Sequence, residues 1–152
     1  MDKLLILTVE WPYGKGETFF ENEALFCKCF DEIECAPIYV SEKHRQIPSN
    51  IKIISNGVKL SKVVDIFQGI FNTTFVQEVV ELLKSKRFSL HNLKTLLRFS
   101  MMTNYRYRFL IKWFNDNKNV DNVSLYTYWM ASDAAAVARI RKKQKNIKLF
   151  LT

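Results

Sequence analysis

Hydrophobic and polar positions along the chain fall into runs that read strand, turn, helix, two strands, a group of helices, strand, helix, strand. Lys3 to Thr8 is a short apolar run of the kind that forms a strand buried on both faces. Gly14 and Gly16 then punctuate a turn, and Thr18-Phe-Phe-Glu21 has the spacing of a capping box. A helix is expected from about Phe19 to Phe30, with Phe19, Phe26 and Phe30 on one side and Phe20, Ala24 and Cys27 adjoining it. Glu34 to Val40, with Pro37 at an edge-compatible position, reads as a second strand. Ile51 to Ile54 reads as a third after the polar loop Ser41 to Asn50, and Asn56-Gly57 closes it with a turn.

From Val58 to Asn117 the period changes to that of helices. Val63, Ile66, Phe67 and Ile70 fit one; Val76, Val79, Val80 and Leu83 fit a second. Leu90, Leu93, Leu97, Met101, Tyr105, Phe109 and Trp113 fit a long third, with Met102 to Asn104 as the place where it could break. Val123 to Thr127 resumes the sheet, Ser132 to Lys145 is a helix packed through Ala134, Ala135, Val137, Ala138 and Ile140, and Lys148 to Thr152 is a last strand. This alternation predicts an α/β fold: a Rossmann-like, mostly parallel sheet with helices on both faces and a helical insertion between strands three and four. The last strand ends at the final residue with no helix to cover it, so the expected domain over 1–152 is a truncated one.

Two segments carry candidate chemistry. Glycines at 14 and 16 can take positive φ and admit a ligand closely, and a helix starting after a parallel strand aims its N–H groups into the crevice above the sheet. An anionic or polyhydroxylated ligand suits that place, beside the alternative that the turn is only structural. A third glycine and a Lys-Ser or Lys-Thr pair are both missing, so neither dinucleotide binding nor a P-loop is supported, and no cofactor is expected. Tyr126-Thr-Tyr-Trp-Met-Ala-Ser-Asp133 would lie beside the turn at the carboxyl ends of the strands. Tyr128 and Trp129 could stack on a sugar or base and Asp133 could accept hydroxyl hydrogen bonds, or else Trp129 fills the core and Asp133 favours a helix start.

Composition narrows the class. The 152 residues suffice for one domain, and 48% hydrophobic content with 12 Phe requires a folded interior. No segment is long and apolar enough to span a bilayer and no signal peptide opens the chain, so a cytoplasmic location is expected. Cys27, Cys29 and Cys35 with two histidines give no zinc spacing, and no metal is expected. Residues 1–30 carry net −2 and the rest +10. Lys84, Lys86, Arg87, Lys94, Arg98, Arg106, Arg108 and Lys112 form a run without an intervening acid, a positive surface for anionic lipid, nucleic acid or a phosphorylated ligand.

Taken together, Trp11-Pro-Tyr-Gly-Lys-Gly-Glu-Thr-Phe-Phe-Glu-Asn-Glu23 and Tyr126-Thr-Tyr-Trp129, with the small-residue helix Ala134-Ala-Ala-Val-Ala138 behind, resemble the amino-terminal domain of GT-B glycosyltransferases of the retaining group 1, or family 4. Lys15 separates two glycines that many members carry adjacent. The resemblance implies a two-domain enzyme that moves a sugar from a nucleotide-sugar donor to a lipid-linked or saccharide acceptor, in surface polysaccharide biosynthesis. It implies that Gly14, Lys15, Gly16 and Glu17 line the cleft near the donor diphosphate and that Tyr128, Trp129 and Asp133 border the acceptor. The donor-binding carboxy-terminal domain and its glutamates are absent, so no catalytic residue is assigned and the chain alone is expected to be inactive. Phe88, Leu90, Phe99, Met101, Met102, Tyr105 and Trp113, interleaved with the basic run and with Lys94, Arg98, Arg106, Arg108 and Lys112 as its membrane-surface candidates, could rest on anionic lipid headgroups, or else the helices are an ordinary amphipathic pair whose basic face is solvated. The alternative is a non-catalytic α/β module using the basic helices on nucleic acid or membrane; no nucleic-acid motif is present, so nucleic acid is not expected.

Overall fold

The computed structural model describes residues 2–24, 27–42, 44–55, 57–118, 122–128, 131–143 and 147–151, with the backbone alone at 28, 147 and 149–151. Five strands, β1 (Asp2–Thr8), β2 (Glu32–Pro37), β3 (Ile51–Ile53), β4 (Asn122–Thr127) and β5 (Ile147–Leu151), form one sheet in the order β3-β2-β1-β4-β5. Every neighbouring pair is parallel, with Leu5 opposite Glu34 on one side and Leu125 on the other. The fold is thus α/β and Rossmann-like. Side chains of β1 alternate between two cores. Leu5 and Leu7 face Phe109, Leu110, Trp113, Val137 and Ile140, whereas Leu4 and Ile6 face Trp11, Phe20, Ile33 and Ile51.

Among the described residues five α-helices complete the layers: α1 (Phe20–Ala24), α2 (Lys62–Ile70), α3 (Thr73–Lys84), α4 (Leu90–Asp116) and α5 (Ser132–Arg141). The first is much shorter than the Phe19–Phe30 helix expected, and a 3-10 turn at Cys27–Cys29 follows it. The second strand ends at Pro37, leaving Tyr39 and Val40 exposed beyond it. Side-chain caps mark three helix starts: Ser61 accepts from the Val64 amide, Asn72 from that of Thr74 and Ser89 from that of Asn92.

No break interrupts α4 at Met102 to Asn104. The reason is tertiary, because Asn104 Nδ2 donates to Asp65 Oδ1 at 3.1 Å and to Gln68 Oε1 at 3.0 Å and so does not compete for its own backbone. Gly69 permits this close approach of α2, since a Cβ there would meet the Ser100 backbone at 3.2 Å. At one end of α4 Lys3 Nζ donates to Asn117 Oδ1 at 2.9 Å, and at Arg106 the helix bonds the Thr8 carbonyl. It therefore runs antiparallel to β1, and residues 90–105 project roughly 20 Å past the carboxyl edge of the sheet at 1.5 Å per residue. With α2 and α3 they form a helical overhang on the side where open α/β sheets bind ligands.

Candidate functional site

Strand order reverses between β1 and β4, and the segments leaving these two strands lie side by side. The loop after β1 begins with a tight turn in which Tyr13 N and Gly14 N donate to the Glu10 carbonyl at 2.6 and 3.0 Å. Neither Gly14 nor Gly16 has positive φ; the left-handed residue is Glu17, at 55°. Gly14 is required by space instead, because a Cβ would lie 2.5 Å from that of Glu10.

Glu17 explains its own conformation. Its buried carboxylate accepts from the amides of Val9 (3.0 and 3.1 Å), Glu10 (2.9 Å) and Trp11 (2.9 Å). The N–H groups just past the strand end are therefore satisfied by the protein's own anion. The capping box does not shape the helix start either, since the Glu21 carboxylate reaches Arg45 Nη1 at 2.6 Å. Arg45 also holds the loop from outside, donating through Nη2 to the Gly14 and Gly16 carbonyls and through its amide to Pro12. Lys15 is exposed at the tip.

Across the reversal, Tyr128 stacks on Phe19 with ring centroids 6.4 Å apart and planes 5° from parallel. Tyr126 lies 5.8 Å from Phe20 and its hydroxyl donates to Glu23. The glycine loop and the aromatic segment are thus brought together. Trp129 lies outside the described residues. Asp133 is 5% exposed and engaged: Arg106 Nε donates to its Oδ1 at 2.9 Å, Arg106 Nη2 to its Oδ2 at 3.3 Å, and Nη2 also to the Thr8 carbonyl. Burial pushes the Asp133 carboxyl up from its ordinary range, against the pull of Arg106. Asp133 is a brace between α5, α4 and β1, not a hydroxyl acceptor open to the crevice.

The accessible recess is instead a pocket of about 160 Å³ lined by Glu10, Tyr13, Gly14, Tyr39, Val40 and Ser41. Glu10 is the carboxylate there, positioned by the Gly16 amide at 3.2 Å. Two tyrosines and a carboxylate in one recess suit the apolar faces and hydroxyls of a saccharide. Tyr39 falls in the stretch that the apolar pattern reads as strand and Ser41 in the polar loop after it, so neither stood out as a site residue; Pro37, where β2 ends, was the available sign that the next residues leave the sheet. Beneath the crevice, Trp11 Nε1 and Thr127 Oγ1 are buried without a hydrogen-bond partner among the described residues.

The basic run divides on folding. Arg106 is fully buried, so it is not a surface cation. Arg108 forms a bidentate pair with buried Asp65, both contacts at 2.8 Å, and Lys112 pairs with Asp116 at 2.7 Å. Tyr105 and Trp113 are core residues rather than membrane-facing ones. Lys94 and Arg98 stay exposed, as do Phe88, Leu90 (83% exposed) and, on α2 and α3, Val63 (79%), Phe67, Phe71 (72%), Val76 and Leu83. Among the described residues no group of His, Cys, Asp and Glu could hold a metal ion, and no helix is long and apolar enough to cross a membrane.

Comparison with known proteins returns no matching family model, no matching curated protein and no matching solved structure.

Proposed function

We propose that this chain is the acceptor-side domain of a retaining glycosyltransferase of GT-B type, which holds a lipid-linked or saccharide acceptor while a second Rossmann-like half binds the nucleotide end of the donor. The observation that carries this reading is the meeting, at the strand-order reversal, of the Gly14–Gly16 loop with the Phe19–Tyr128 stack, beside a recess built from Glu10, Tyr13 and Tyr39. In the reaction the acceptor hydroxyl oxygen bonds to the sugar C1 as the C1–O bond to the diphosphate breaks, and the hydroxyl proton passes to the departing nucleoside diphosphate. The role of this chain is to orient the acceptor: Glu10 takes a hydroxyl hydrogen bond and the tyrosines cover a sugar face. Glu17 acts through the loop by fixing its amides.

A 15N-labelled sample titrated with oligosaccharides, a lipid-linked monosaccharide and nucleotide sugars tests the assignment. Saccharide-dependent shifts at Glu10, Tyr13, Tyr39 and Tyr128, with no sugar transfer by the chain alone, are expected. Shifts confined to α3 and α4 with oligonucleotides, and none with saccharides, would instead support the non-catalytic binding module.

Membrane association is part of the same proposal, favoured by the exposed apolar ridge of α2 and α3 with Lys59, Lys62, Lys84, Lys86 and Arg87 at its ends. It would put the overhang on anionic lipid and the crevice toward a lipid-linked acceptor.

A further inference from the structure

We infer that the groove between α3 and α4 binds a single-chain amphiphile with an anionic oxygen head, the hydrocarbon chain lying between the two helices and the head meeting Arg139 and Thr103. The groove encloses about 550 Å³, a volume within the range of small-molecule sites at roughly 300–1,000 Å³. It shares no lining residue with the recess at Glu10.

Most of its accessible wall is apolar, with Asn72, Thr74, Asn92, Thr95 and Ser100 also on the lining. Phe75 and Leu82 come from α3, and Leu96 and Phe99 from α4. Although α3 has an amphipathic sequence, none of its residues is buried. A helix of this kind normally covers its apolar stripe, so the open groove is a surface the fold has left for something apolar.

The polar end supplies the second observation. Thr103 lines the groove at 5% exposure, and among the described residues its hydroxyl has no hydrogen-bond partner. A hydroxyl taken out of water without a partner is costly, and a ligand oxygen in the groove would relieve that cost. Arg139 of α5 lines the same groove, half-buried, with its guanidinium 4.1 Å from the Tyr107 ring centroid. Burial lowers its pKa, and no carboxylate among the described residues is paired with it. Glu78, the carboxylate in the lining, is exposed on α3, where water screens it from Arg139. A desolvated cation and an unused hydroxyl beside apolar walls match a carboxylate or phosphate on a hydrocarbon chain. The exposed Lys84, Lys86, Arg87, Lys94 and Arg98 add a field of the same sign.

Isothermal titration of the purified chain with dodecanoate and dodecyl phosphate, each below its micellar concentration, tests the site. Dodecyltrimethylammonium and inorganic phosphate serve as controls. Saturable one-to-one binding of either anionic amphiphile, at least tenfold tighter than either control, is expected; the tighter of the two identifies the head. Arg139→Gln should weaken binding about tenfold and Leu96→Trp, which fills the groove, should abolish it. Thr103→Val gives the sharper readout: removal of the orphan hydroxyl should raise the melting temperature of the free chain while weakening the amphiphile several-fold. Equal binding of the cationic amphiphile, no change in Thr103→Val or Arg139→Gln, or no binding of either anionic amphiphile, whether or not a dimer buries the groove, would each overturn the inference.

Discussion

Glu17 sits at φ 55°, a region that a non-glycine residue enters at some cost, and its carboxylate bonds three successive amides at the end of β1. The hydrogen bonds offset the strain. Because bonds to a charged group contribute about 1.5–3 kcal/mol each and do not add fully, Glu17→Ala is expected to destabilise the chain by about 3 kcal/mol in urea unfolding. Glu17→Gln, which keeps one acceptor oxygen, should cost less. A near-normal midpoint for Glu17→Ala would mean that water replaces the carboxylate. Cysteine behaviour is a second residue-scale expectation. Burial pushes the Cys35 thiol up to about 12, raises that of half-buried Cys27 as well, and leaves Cys29 exposed. Thiol labelling read by mass spectrometry should reach Cys29 first and Cys35 only on unfolding. The folded pKa of Cys35 exceeds the ordinary thiol value of 9.0, so the unfolded chain loses this proton first as pH rises. Stability should therefore fall between pH 9 and 12, and Cys35→Ala should remove up to about 1.4 kcal/mol per pH unit of that slope.

At the scale of elements, α4 is held to the sheet by Arg106, whose guanidinium joins the end of β1 to the first turn of α5. Removing one partner of a buried pair leaves the other charge unpaired, so Arg106→Ala should cost about 3–5 kcal/mol. The double variant Arg106→Leu with Asp133→Leu should recover much of that loss, and a double-mutant cycle by urea unfolding measures the coupling. Gly14 and Gly16 separate in a related way. Overlap with Glu10 should make Gly14→Ala destabilising by about 1–3 kcal/mol and distort the saccharide recess, whereas the Gly16 position lies 3.3 Å from the Glu10 carboxylate and tolerates Ala better. The helical periods at 63–70, 76–83 and 90–113 were legible in the sequence because each repeats over several turns. The length of α1 was not: Phe20 and Ala24 are its buried residues among those described, and Cys27–Cys29 is a 3-10 turn.

For the whole molecule, the strand order decides where ligands can sit and the overhang of α2, α3 and α4 decides what stands beside them. Val63, Phe67, Phe71 and Leu90 are too exposed to contribute to either core. Co-sedimentation with anionic vesicles should exceed that with neutral ones, and Phe67→Ser with Phe71→Ser should cut it several-fold with little effect on folding, as expected of exposed sites. Equal recovery with both vesicle types would remove the membrane from the proposed function.

Local pattern alone determined the α/β alternation, the parallel sheet and the two loops that meet at its carboxyl edge, because hydrophobic period and glycine position act over a few residues. Tertiary structure alone decided which charges work at the surface. Arg106 and Arg108 look in sequence like neighbours of Lys94 and Arg98, yet their acidic partners lie 27 and 43 residues away, and only the packing of α4 against α5 and α2 brings them within reach. The same holds at the crevice: Glu17 reads as one more acid in a glycine-rich turn until the closed loop swings its carboxylate onto the strand-end amides.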